Sequence, residues 1–175
     1  MKKIISFSVW GNSPQYSIGA IKNAKLAMEL FPSWICRIFV DDTVPIEYQN
    51  IMIKLPNVEL VEVDDECVFG AFWRFYSMFQ NEDDIVISRD SDSRISKREV
   101  RCVNEWLDSG KKFSIIRDHH THYDWPILAG MWGLRGNLND DIFSIMKEYS
   151  KHHFYTSDQI FLKDIIWKIA KNNCM

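Results

Sequence analysis

A chain of 175 residues can bury one sizeable core, and a composition 46% hydrophobic and 14% aromatic excludes a disordered tail. A net charge of −3 argues against a protein devoted to nucleic acid, and no apolar run reaches the length that spans a bilayer. Four scattered cysteines without a C-x-x-C pair exclude a zinc knuckle and fit a reducing, cytoplasmic setting.

In chain order, residues 4–9 are an apolar run closed by the turn cluster Gly11-Asn12-Ser13-Pro14, the pattern of a buried strand. SIGAIKNAKLAMELF has helical spacing and stops before Pro32. Residues 35–40 form a second strand, stopped by Asp41-Asp42. A helix over IEYQNIMIKL and a short strand over 58–63 follow. GAFWRFYSMF, residues 70–79, reads as a short aromatic helix. Residues 84–88 give a fourth strand. Ser96 and Glu99 have capping-box spacing and open a helix that ends at Gly110. Residues 113–116 form a fifth strand, and helices over about 139–149 and about 158–171 close the chain.

Strands alternating with helices predict right-handed crossovers and a largely parallel sheet covered on both faces. The fold class is α/β, Rossmann-like, and residues 1–175 read as a single domain. In such sheets ligands gather at the carboxyl ends of the strands. The loops expected there are 10–14, 41–43, 89–94 and 117–121. The third, within SRDSDSR, places Asp90 and Asp92 one residue apart at a strand exit.

Three readings of this pair are open. Asp, Ser and Arg are ordinary turn residues, so the loop could be merely polar. Alternatively, two carboxylates on alternate residues converge on one hard cation, Mn²⁺ or Mg²⁺, whose shell is completed by substrate phosphates. Thirdly, Asp90 and Asp92 with Asp118, His119, His120 and His122 have the residue types of a two-metal phosphoesterase.

The ordered set extends further. SRDSDSR is followed by Arg98-Glu99, Glu105-Trp106-Leu107, Ile116-Arg117-Asp118-His119, Ile127-Leu128-Ala129-Gly130-Met131-Trp132-Gly133 and Asp158-Gln159. Together these resemble small glycosyltransferases of the A fold with a D-x-D motif. That group includes bacterial polysaccharide-biosynthesis enzymes and the N-terminal domain of a chlorella-virus glycosyltransferase.

The resemblance implies a UDP-sugar donor, a glycan or other hydroxyl acceptor, and Mn²⁺ or Mg²⁺. It implies metal binding by Asp92 with help from Asp90. Donor binding is implied for Phe7, Ser8, Val9, Asp41, Arg74, Asp90, Ser91 and Gln159. It places Asp118, His119, Gly130, Met131 and Trp132 on the donor-sugar or acceptor wall. Asp158 is implied beside the anomeric carbon, as in retaining relatives such as glycogenin, which points to retention. Relatives continue into a segment whose histidine completes the metal shell; this chain ends at Met175 and reads as shortened there, leaving His152 or His153 as substitutes. A non-catalytic nucleotide-sugar binding module is the remaining alternative; it needs the aspartates but not Asp158.

Overall fold

The computed structural model describes residues 1–65 and 67–175, with every side chain among them except that of Thr121. Six strands form one sheet: β1 (Lys3–Val9), β2 (Ile35–Val40), β3 (Val58–Glu62), β4 (Ile85–Ser88), β5 (Phe113–Ile115) and β6 (Trp132–Arg135). Their order is β3-β2-β1-β4-β6-β5. The β3-β2-β1-β4 block is parallel, while β6 runs antiparallel between β4 and β5. The expected α/β, mainly parallel sheet is thus present. β6 is an addition: Trp132 was read as wall, and no strand was expected over Trp132–Arg135. Its Gly133 explains both its place and its weak signal: a Cβ there would lie 2.9 Å from the Ile87 side chain, so the strand fits against β4 only without one.

Helices α1 (Pro14–Leu30), α2 (Ile46–Met52) and α3 (Lys97–Ser109) cover one face. The other face carries a 3-10 run over Gly70–Phe79, α4 (Asp140–Ser150), and a terminal helix. That helix consists of α5 (Ser157–Phe161), a π-helical turn (Leu162–Ile166) and α6 (Trp167–Ala170).

Two periodicities position the site. Along β1, residues alternate between faces. Ile5, Phe7 and Val9 pack into the core on the α1 side. Ser6 and Ser8 face the opposite layer, where Ser6 Oγ lies 3.1 Å from Ser77 Oγ and Ser8 Oγ accepts the Arg74 N–H at 2.7 Å. In a 3-10 run the side chains at i and i+3 eclipse. Ala71, Arg74 and Ser77 therefore share the line that lies along β1. The segment read as an aromatic helix is helical, but its three-residue repeat is what points Arg74 at the strand ends.

The Ser96 cap forms only half of its box. Ser96 Oγ accepts the Glu99 N–H at 3.4 Å, but the Glu99 carboxylate turns away to Arg89 Nε at 2.7 Å. Gly110 ends the helix at φ 70°, a left-handed cap that glycine adopts without cost. The last residues lie along the free edge of β5, where Phe113 donates to Asn173 O at 3.1 Å and Ile115 to Met175 O at 2.9 Å. Among the described residues, no helix is long and apolar enough to cross a membrane.

Candidate active site

The alternation of β4 continues past its end and assigns each residue of SRDSDSR a side. Arg89 turns to the α3 face, where it is 2% exposed and pairs with Glu99. Burial pulls its guanidinium below the usual arginine range, and Glu99 only partly offsets that. Arg89 also donates to Ser88 O at 2.9 Å and Gly130 O at 3.2 Å, which ties the strand exit to the 129–133 segment. Asp90 turns to the opposite face and pairs with Arg74. Gly130 lies directly against it: a Cβ there would be 2.0 Å from Asp90 Oδ2.

Arg74 uses both ends of its fork. One terminal nitrogen holds Asp90 and the other holds Asp158 Oδ2 at 2.7 Å. Burial works against the Arg74 charge, but the two carboxylates more than offset it, and its pKa is raised above the arginine value. Asp158 sits in the first turn of α5, where its Oδ1 also accepts the Gln159 N–H at 2.8 Å. Gln159 Oε1 accepts the Ala129 N–H at 2.7 Å, fastening α5 to the wall. Residues 74, 90, 129, 130, 158 and 159 thus converge, although they come from the 3-10 run, the β4 exit, the β6 approach and α5.

They line a cavity of about 500 Å³ at the carboxyl ends of β1 and β4. Of the expected site residues, Ser8, Arg74, Asp90, Ser91, Asp92, Gly130, Met131, Asp158 and Gln159 border it. Others do not. Phe7 and Val9 are 0% and 1% exposed on the α1 face, so strand alternation removes their side chains from the cavity. Trp132 is 1% exposed and packs edge-on against Phe75 as core.

Asp41 borders a second, acidic hollow of about 620 Å³ with Asp42, Glu62 and Asp64, and its Oδ1 caps the Thr43 N–H at 3.2 Å. The two hollows meet where Trp10, lining the first, packs edge-on against Trp73, lining the second. Asp118 pairs with Arg98 at 2.9 Å and lies 3.3 Å from His122 Nδ1, outside the cavity lining. His119 packs against the rings of His120 and His122 at 4.1 and 5.5 Å, and only His122 of the three borders the cavity. His153 stacks on Phe69 at 5.5 Å, and neither it nor His152 reaches the lining.

Two residues of α1 that the sequence reading passed over hold the D-x-D loop in place. Asn23, fully buried, donates to Ser91 O at 3.1 Å and Ser93 O at 2.7 Å and accepts from Ile95 N at 3.2 Å. One turn earlier, a Cβ on Gly19 would stand 2.1 Å from Ser91 O, so α1 meets this loop at backbone distance. An asparagine inside the buried stripe of a helix was the available signal. Replacing Asn23 with Ala strands a buried N–H and removes two carbonyl partners. About 2–3 kcal/mol of stability is then lost, read as a lower denaturant midpoint at unchanged slope.

The cavity's charge sets what it can bind. Three carboxylates, Asp90, Asp92 and Asp158, face one guanidinium, and that guanidinium is already engaged twice. A diphosphate would meet net repulsion. Asp92 is exposed and has only the Gln15 amide near it, at 3.4 Å, among the described residues. Asp90 keeps Oδ2 outside the Arg74 pair. This is an all-oxygen donor set with most of a shell left open, which fits a hard divalent cation shared with phosphate.

No family model matches the chain, and no curated protein matches it in sequence. Solved structures do. The galactosyltransferase LgtC, in complex with donor and acceptor sugar analogues, superposes with a TM-score of 0.60 at 15% identity, covering 98% of this chain and 72% of that one. An active-site mutant of LgtC gives 0.58 at 15% identity over 98% and 71%. S. aureus TarS gives 0.50 at 15% identity, over 68% of this chain but only 36% of that one. The chain has the glycosyltransferase A fold, shown by its likeness to the galactosyltransferase LgtC over 98% of its length.

Proposed function

We propose that the chain is a metal-dependent glycosyltransferase of the D-x-D group. It moves a hexose from a UDP-sugar to a hydroxyl of a glycan, with retention at the anomeric carbon. The observation that carries this reading is the Asp90–Arg74–Asp158 bridge across one cavity at the strand ends. It joins the D-x-D loop to the carboxylate that the resemblance places at the anomeric carbon. The donor and acceptor analogues bound to LgtC, on the same fold, agree with it.

Asp90 and Asp92 would hold Mn²⁺ or Mg²⁺, which would offset the diphosphate charge and act as a Lewis acid on the departing UDP. The chain's own residues do the rest. Asn23 and Gly19 fix the loop so that both carboxylates face the diphosphate. Gly130 leaves room for Asp90 and bounds the sugar. Arg74 holds the Asp158 carboxylate at the cavity wall. As the C1–O bond to the diphosphate lengthens, positive charge grows on the sugar, and Asp158 stabilises it. The acceptor oxygen bonds to C1 and its proton leaves with the UDP oxygen.

The phosphoesterase reading needs the 119–122 histidines as ligands beside Asp90 and Asp92. Of those histidines only His122 borders the cavity that Asp90 and Asp92 line, among the described residues. His119→Ala and His120→Ala therefore leave Mn²⁺–UDP affinity within about tenfold, or 1.4 kcal/mol, by calorimetry. Asp92→Ala abolishes the metal dependence of that affinity. Loss of all metal binding in either histidine variant would reverse the assignment.

A further inference from the structure

Two further aromatic rings, Trp125 and Tyr155, stand at the cavity. Tyr155 borders the cavity yet is 93% exposed. Trp125 borders it half-buried. Neither makes a hydrogen bond or a ring contact among the described residues. The other aromatics of the lining are spoken for: Trp10 stacks on Tyr16 and meets Phe69 edge-on, and Phe69 stacks on His153. Tyr155 stands three residues before Asp158, and Trp125 five before Gly130, which is packed on Asp90. The free rings thus belong to the two segments that carry the reacting end of the cavity.

We infer that Trp125 and Tyr155 form the acceptor subsite and that its ligand is an uncharged pyranoside. An aromatic face carries negative quadrupole charge. The C–H groups on one face of a pyranose ring are weakly positive and lie flat against it. An indole N–H and a phenol hydroxyl at the ring edges then remain to bond sugar hydroxyls. The charge balance excludes an anionic acceptor. Arg74 is the only Lys or Arg among the described lining residues, and it is taken by two carboxylates. An acceptor phosphate or carboxylate would find no free permanent cation there.

The inference rests on the glycosyltransferase reading, and one experiment tells the two apart. Saturation-transfer NMR is run on the whole chain with UDP and Mg²⁺, using a panel of methyl hexopyranosides and the matching hexose phosphates. At least one neutral glycoside receives saturation, strongest on the C–H groups of one ring face, and the phosphates receive none. The transfer drops at least fivefold in Tyr155→Ala and Trp125→Ala and persists in Tyr155→Phe and Trp125→Phe. UDP–Mg²⁺ affinity stays within about twofold throughout. Tyr155 is so exposed that its Ala variant cannot fail by unfolding. Wild-type protein that binds UDP–Mg²⁺ but transfers saturation to no neutral glycoside, or equally to the phosphates, would overturn the subsite alone. Undiminished transfer in Tyr155→Ala would do the same. Absence of UDP–Mg²⁺ binding would remove the underlying reading.

Discussion

Asp158→Asn binds Mn²⁺ and UDP-sugar almost as the parent does, but turns over at least about a hundredfold more slowly, roughly 2.7 kcal/mol of barrier. The reason is when the charge is needed. Asp158 is buried at the cavity wall and touches no diphosphate-binding loop except through Arg74. Its carboxylate meets full positive charge only as the sugar approaches its oxocarbenium-like state. An interaction made only in the transition state lowers kcat when removed and leaves affinity nearly intact. Asn keeps the shape, but its single carboxamide oxygen replaces only one of the two acceptors that the Gln159 N–H and Arg74 use. Arg74 also keeps Asp90, so the folding cost is about 1–3 kcal/mol rather than that of a pair broken outright. Single-turnover transfer or donor hydrolysis, measured on folded protein, reads the effect. A normal rate would mean that the carboxylate is only a first-turn acid of α5 and that the chain is better described as a binding module.

Arg74→Met goes further, because it removes both contacts together. It leaves the buried Asp158 side chain without its guanidinium partner and frees Asp90 from the position that Gly130 accommodates. Breaking a buried pair by deleting one partner costs about 3–5 kcal/mol. For a domain of this size that lowers Tm by roughly 10 °C. Arg74→Lys recovers little, since a point ammonium cannot span two carboxylates as the fork does. Melting curves of the two variants check the claim, and a Met variant that melts within about 2 °C of the parent would contradict it. The transfer rate of both variants falls at least as far as that of Asp158→Asn, because each leaves Asp158 misaimed.

What could be read in advance follows the two periodicities. Five strands and the flanking helices were legible from apolar runs punctuated by Asp, Pro and Gly. The strand boundaries fall within a residue of those expected, while α1 starts three residues earlier and α2 ends three residues earlier than read. β6 was not, because WGLR is short, runs against its neighbours and carries the glycine that lets it pack. Within the site, the residues read at strand exits border the cavity only where their side faces it. Ser8 reaches the cavity, while Phe7 and Val9 point into the opposite core. A strand-end motif gives the place of a site, but the phase of the strand decides which neighbours enter it. Asn23 and Gly19 were passed over because their partners are backbone atoms about 70 residues away, and an asparagine in the buried stripe of α1 was the one local hint. The Asp90–Arg74–Asp158 bridge likewise joins three segments that no local pattern connects.

The central claim is that Asp90 and Asp92 bind a diphosphate only through a divalent cation. Isothermal titration of UDP into the protein, once with Mn²⁺ and once with EDTA, tests it most directly. Three carboxylates against one committed guanidinium leave UDP repelled in EDTA, so affinity rises at least about tenfold with Mn²⁺, and that rise disappears in Asp92→Ala. Equal UDP affinity in Mn²⁺ and in EDTA would contradict it.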